Sequence, residues 1–139
     1  MVYLIHSKNE VVDCFKFYEA QMSAKFERKF SRLASDNGGE YTCREMRSFC
    51  KEKGIKQEFT VPFSPEQNGL SERMNRTIVE KARSLLIDSG IFRSFWGEAV
   101  QTVSFLINRS PAAALGVEKT PAEIWNGRKP DVSWLRVFG

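Results

Sequence analysis

Two carboxylates in this chain each sit beside a glycine-rich reversal. Asp36 lies in Ser35-Asp36-Asn37-Gly38-Gly39-Glu40-Tyr41. Glu72 lies in Pro65-Glu66-Gln67-Asn68-Gly69-Leu70-Ser71-Glu72-Arg73-Met74-Asn75-Arg76, with thirty-five residues between the two acids. Magnesium and manganese take hard oxygen ligands, and a fold has to gather distant acids to supply them. The pair therefore points to a divalent-metal site. Each residue also has a plainer reading. Asp before Asn-Gly-Gly is a good turn former, and Glu72–Arg76 or Arg76–Glu80 is a common i,i+4 surface pairing. Glu40 follows Asp36 closely and reads as part of the same turn.

Residues 71–88 read as a helix capped by Ser71 and ended by Gly90. On the helical wheel Glu72 shares a face with Arg76, Glu80 and Arg83, while Met74, Ile78, Ala82 and Leu85 form the stripe expected to be buried. Arginines beside an acid on one exposed face suit a phosphate-bearing partner. The preceding Pro62–Gly69 stretch is a loop punctuated by two prolines and Asn68-Gly69.

The remaining elements are read from periodicity and caps. Val2–Ile5 is expected as a buried strand. Ser7 and Glu10 form a capping box ahead of a helix over about 8–28, with Val11, Phe15, Tyr18, Met22 and Phe26 inward. Phe30–Ala34 reads as a strand, and Asn37-Gly38-Gly39 as a turn using positive φ. Thr42 and Glu45 suggest a second capping box for a helix running to about Lys53, ended by Gly54. Gln57–Val61 alternates as a strand. Ser94–Asn108 reads as a helix with Phe95, Val100, Val103, Leu106 and Ile107 inward, and the Phe95/Trp96 cluster as core. Thr120-Pro121 opens a last short helix. Strands alternating with helices predict an α/β domain.

At 139 residues, 42% hydrophobic with 11 Phe, the chain can build one core. Its net charge of +4 and pI near 9.1 mildly favour a polyanionic partner. Cys14, Cys43 and Cys50 form no CxxC pair and His6 is the single histidine, which argues against a Cys/His zinc site. Reduced thiols in an intracellular compartment are the simplest reading, and no stretch has the length of a membrane span. The apolar Val2–Ile5 run at one end, and Trp134–Gly139 reading as the start of a strand at the other, suggest a fragment. Residues 132–139 would then begin a following segment.

These motifs, together with Phe95-Trp96-Gly97-Glu98-Ala99-Val100, Leu106-Ile107-Asn108-Arg109 and Leu135-Arg136-Val137-Phe138-Gly139, closely resemble the catalytic core of retroviral-type integrases, above all the copia class of long-terminal-repeat retrotransposons. The resemblance runs from Val2 to Gly139. It implies an RNase H-like mixed sheet flanked by helices, N-terminally incomplete, with the first two strands and the first catalytic Asp missing. Asp36 would match the second acid of the family's triad and Glu72 the third, both as catalytic metal ligands in a two-metal Mg²⁺ or Mn²⁺ site that is incomplete here. Asn68, Arg73, Arg76 and Arg83 would contact nucleic acid. The partners implied are DNA (element ends and target DNA) and further copies of the chain, with no membrane, in the nucleus or a virus-like particle. Such a chain is expected to be inactive alone; a domesticated nucleic-acid- or partner-binding module without catalysis is the alternative.

Overall fold

The computed structural model describes residues 1–59, 69–112 and 119–139. Its elements are helix α1 (Val11–Phe26), strand β1 (Arg32–Ser35), helices α2 (Gly39–Thr42) and α3 (Arg44–Lys53), strand β2 (Lys56–Phe59), and helices α4 (Gly69–Ser89), α5 (Trp96–Arg109) and α6 (Pro121–Asn126). Short 3-10 turns, Lys8–Glu10 and Arg93–Phe95, lead into α1 and α5. The chain divides into two compact units, Tyr3–Glu72 and Arg73–Gly139 with Met1–Val2. No helix among the described residues is long and apolar enough to cross a membrane.

In the Tyr3–Glu72 unit, β1 and β2 pair in parallel, with Arg32 opposite Lys56 and Ser35 opposite Phe59. A parallel pair needs a crossover between its strands, and here α2 and α3 make it. Val12 from α1 and Met46 and Cys50 from α3 close with Ile55 into a buried cluster. Phe15 extends it, meeting Phe30 and Phe49 edge to face with centroids 6.4 and 6.0 Å apart. Burial pushes the Cys50 thiol above its usual range. Glu19 on α1 is buried as well, at 3% exposure; its carboxylate accepts from Ser23 Oγ at 2.9 Å and meets Lys53 Nζ at 3.4 Å. Gly54 ends α3 at φ 71°, as its position predicts, where a side chain would be strained.

In the other unit, α4 and α5 pack through Ala82, Leu86, Ala99, Val100 and Val103. Ala82 and Ala99 are fully buried within this cluster. Thr120 caps α6 with its Oγ1 accepting from Glu123 N at 3.1 Å, and Pro121 takes the first helical position as expected.

Several expectations change. Val2–Ile5 forms no strand: it has no ladder partner among the described residues, and Leu4 and Ile5 are exposed. The described sheet therefore has two strands. Thr42 is not the cap of α3. It closes α2, its hydroxyl donating to Gly38 O, and Cys43 Sγ accepts from Met46 N instead. The α4 helix starts at Gly69, ahead of Ser71. Phe26, Phe95 and Trp96 are exposed rather than inward, and Trp134–Gly139 forms a turn and coil rather than a strand. The part of the Pro62–Gly69 loop before Gly69, and the Thr60–Val61 end of the expected strand, lie outside the described residues.

Met46 is 0% exposed and Met74, expected in the buried stripe, is 45% exposed. Met46→Ala is accordingly expected to lower unfolding stability by about 2–5 kcal/mol. Met74→Ala should stay within about 0.5 kcal/mol. Chemical denaturation of both variants checks this; equal losses would mean that the two methionines are packed alike.

Candidate functional site

Asp36 is the first residue past β1 and is exposed. Its Oδ1 accepts from Gly38 N at 3.0 Å, an Asx turn that holds one carboxylate oxygen. The chain then enters α2, whose Tyr41 and Thr42 amides donate to Gly38 O at 3.0 and 3.1 Å. Gln57 of β2 donates to Tyr41 O at 2.9 Å, so the register of the strand pair also ties down the segment that follows Asp36.

At Gly38 it is the space beside the backbone, and not positive φ, that sets the residue apart. Its backbone is at φ −56° and ψ 143°, which any residue adopts. A Cβ at this position would lie 2.9 Å from Glu40 Oε2 and 3.0 Å from Asp36 Oδ1. Two carboxylates thus close on one small volume. Sequence alone assigns Glu40 to the turn that follows Asp36. Its spacing of four from Asp36, across two glycines, is the signal that could have marked it. Glu40 Oε1 also faces Lys8 Nζ at 3.7 Å, a loose pair because Lys8 is highly exposed.

Tyr41 records the charge gathered there. Burial raises its phenol above the usual value of 10.0, and the negative charges of Asp36 and Glu40 raise it further. With the folded value raised, the neutral phenol favours the native state, and that contribution is lost as pH climbs through the folded value.

Glu72 stands exposed in the first turn of α4, and Arg73, Arg76 and Arg83 are exposed along the same helix. Ala82 is fully buried and Ile78 and Leu85 half-buried, so the predicted stripe holds except at Met74. Neither Glu72–Arg76 nor Arg76–Glu80 closes into an ion pair among the described residues. Asn68 lies outside the described residues. Asp36 and Glu72 carry the hard, exposed oxygen donors that Mg²⁺ or Mn²⁺ would take. Among the described residues no group of three or more His, Cys, Asp or Glu is gathered in a metal-holding arrangement.

No family model matches the chain. It is 49% identical over 138 residues to the retrovirus-related Pol polyprotein from transposon TNT 1-94 of Nicotiana tabacum, covering 99% of this chain and 10% of that protein. It is 33% identical over 138 residues to the Pol polyprotein from transposon RE2 of Arabidopsis thaliana, covering 99% and 9%. The chain thus spans about a tenth of the length of the curated relatives it matches. Among solved structures it superposes on a chain of the simian T-cell lymphotropic virus intasome in complex with PP2A regulatory subunit B56 gamma, with TM-score 0.66 and 18% identity, over 96% of this chain and 44% of that one. The HTLV-2 integrase catalytic core domain in complex with magnesium gives TM-score 0.61 and 21% identity, over 85% and 69%. The mixed helix-and-strand fold resembles these integrase catalytic cores, which are RNase H-like.

The carboxylate pair about Gly38 is testable through Tyr41. In a Tyr3→Phe/Tyr18→Phe background, ultraviolet titration should place the Tyr41 midpoint above 10.0. Asp36→Asn should lower that midpoint without returning it to the usual value, because burial, the larger cause, remains. A midpoint indifferent to Asp36→Asn would separate the two side chains.

Proposed function

We infer, because its homologues are the Pol polyproteins of copia-type retrotransposons, that this chain is part of an integrase catalytic core whose parent protein joins element DNA to target DNA. The observation that carries the reading is 49% identity along 99% of the chain to such a polyprotein. The exposed acids at the end of β1 and the start of α4 support it. Asp36 and Glu72 would each hold a divalent ion, Mg²⁺ or Mn²⁺, through hard oxygens. When bound, such ions activate the attacking oxygen and stabilise the leaving one. The chain's own residues orient the chemistry. The Asx turn sets the Asp36 carboxylate, and Arg76 and Arg83 receive phosphate oxygens on the exposed face of α4 that also carries Glu72, with Arg73 and Asn68 as further contacts. Intracellular action in a nucleus or virus-like particle, and assembly with further copies, belong to the same reading.

Two acids supply fewer ligands than a two-metal site uses. Strand transfer by this chain alone is therefore expected below detection with either metal. Joined to the segment that precedes its counterpart in the tobacco polyprotein, it should transfer DNA. Asp36→Asn or Glu72→Gln should then each cut transfer at least about 100-fold, since even losing an outer partner of a metal ligand costs about 10- to 100-fold. Transfer assays on labelled element ends decide this. Undiminished activity in either variant would remove that acid from the site. An extended chain that binds DNA but never transfers it would favour the non-catalytic binding module.

DNA contact has its own check. Duplex binding should be sequence-independent and fall steeply with salt. Arg76→Ala and Arg83→Ala should each weaken it and reduce the salt slope by up to about one unit. Unchanged binding in the double variant would confine these arginines to the helix surface.

A further inference from the structure

Large apolar side chains gather at the surface near the C-terminal end of the chain, beside cations that no acid balances. Phe105 of α5 is covered on one face by the Arg109 guanidinium, whose carbon lies 3.5 Å from the ring centroid. Trp134 meets the same ring edge to face, centroids 5.5 Å apart, and remains 56% exposed. An indole braced in this way presents an aromatic surface to solvent at little further conformational cost. Arg109 Nη1 donates to Phe105 O at 3.4 Å, and its buried Nε has no partner among the described residues.

Charge decides what such a surface suits. The ion pairs Lys8–Glu40, Lys16–Asp13, Lys16–Glu45, Arg32–Glu58, Lys53–Glu19 and Lys56–Glu58 all lie between Lys8 and Glu58. Arg109, Arg128, Lys129 and Arg136 form none. Asp131 is exposed on the same loop, its Oδ1 accepting from Ser133 N at 2.9 Å; this bond holds the carboxyl below its usual range, so it stays charged, yet it closes no ion pair with these cations. A second copy of so basic a surface would be repelled, whereas a polyanion bearing flat rings meets both features. Aromatic platforms with flanking cations bind single strands by stacking bases and tracking phosphates.

We propose that Trp134, braced by Phe105 and Arg109 and with Arg128, Lys129 and Arg136 close to it along the chain, is a base-stacking site for single-stranded DNA. The proposal uses neither Asp36 nor Glu72 and needs no transfer chemistry; only its choice of DNA over RNA rests on the strand-transfer reading.

The 139-residue chain is titrated into labelled dT20 and rU20 and followed by anisotropy. Binding of dT20 tighter than rU20 is expected. Trp134→Leu, which keeps an apolar contact to Phe105, should weaken dT20 binding by about fivefold or more, and Trp134→Tyr should restore most of it. Equal affinity of the Leu variant, or rU20 bound as tightly as dT20, overturns the proposal. Should the Leu variant fail to fold, Trp96→Phe/Trp125→Phe leaves Trp134 as the lone indole. Its fluorescence should be quenched by saturating dT20, and unquenched emission, or self-association through this face, overturns the site. Loss of duplex binding in the Arg76/Arg83 double variant with dT20 stacking intact separates a failure here from a failure of the strand-transfer reading.

Discussion

The parallel pairing of β1 with β2 is the constraint on which the Tyr3–Glu72 unit depends. Two strands of four residues cannot sustain themselves. They persist because their crossover, α2 and α3, buries Met46 and Cys50 against Val12 and Ile55 and lays Phe15 against Phe30 and Phe49. That packing fixes where β1 stops, and Asp36 is the next residue. The Gln57–Tyr41 hydrogen bond carries the same register into the following turn. A slip of one residue would turn every β1 side chain to the opposite face and carry Asp36 with it.

The acidic end of this unit shows how little room the turn has. Asp36 and Glu40 share the volume that a Gly38 side chain would take. Lys8 meets Glu40 only loosely, at 3.7 Å and with its own side chain highly exposed. Glu19 is handled differently. It is buried beneath Lys53 and Ser23, where its charge is neutralised by structure instead of left for a ligand.

Charge is partitioned between the units. Within residues 8–58, Lys8, Lys16, Arg32, Lys53 and Lys56 are drawn into ion pairs, including Lys16 with Glu45 and Arg32 and Lys56 with Glu58. Along α4, α5 and the C-terminal turn the arginines named as phosphate or base contacts, other than Arg73, form none among the described residues. A net charge of +4 is modest for a whole chain. What matters is that unneutralised cations accumulate where Glu72 and Trp134 stand.

Local chemistry is legible without a structure. The capping box at Ser7 and Glu10, the Gly54 and Gly90 stops, Pro121 at the head of α6, and strands near 32–35 and 56–59 all follow from propensity and short-range hydrogen bonding. The places of Asp36 just past β1 and of Glu72 in the first turn of α4 are likewise set by local motifs. Matters that depend on a distant partner were decided by tertiary structure. Val2–Ile5 has the composition of a strand but no neighbour to complete its ladder among the described residues, and backbone groups pair only with what is beside them. Phe26, Phe95 and Met74 have the spacing of core residues, yet burial needs an opposing surface, and periodicity names a face without saying what covers it. Trp134 found Phe105 only when the chain folded: the proximity of two side chains distant along the chain is a property of packing, and the sequence does not contain it.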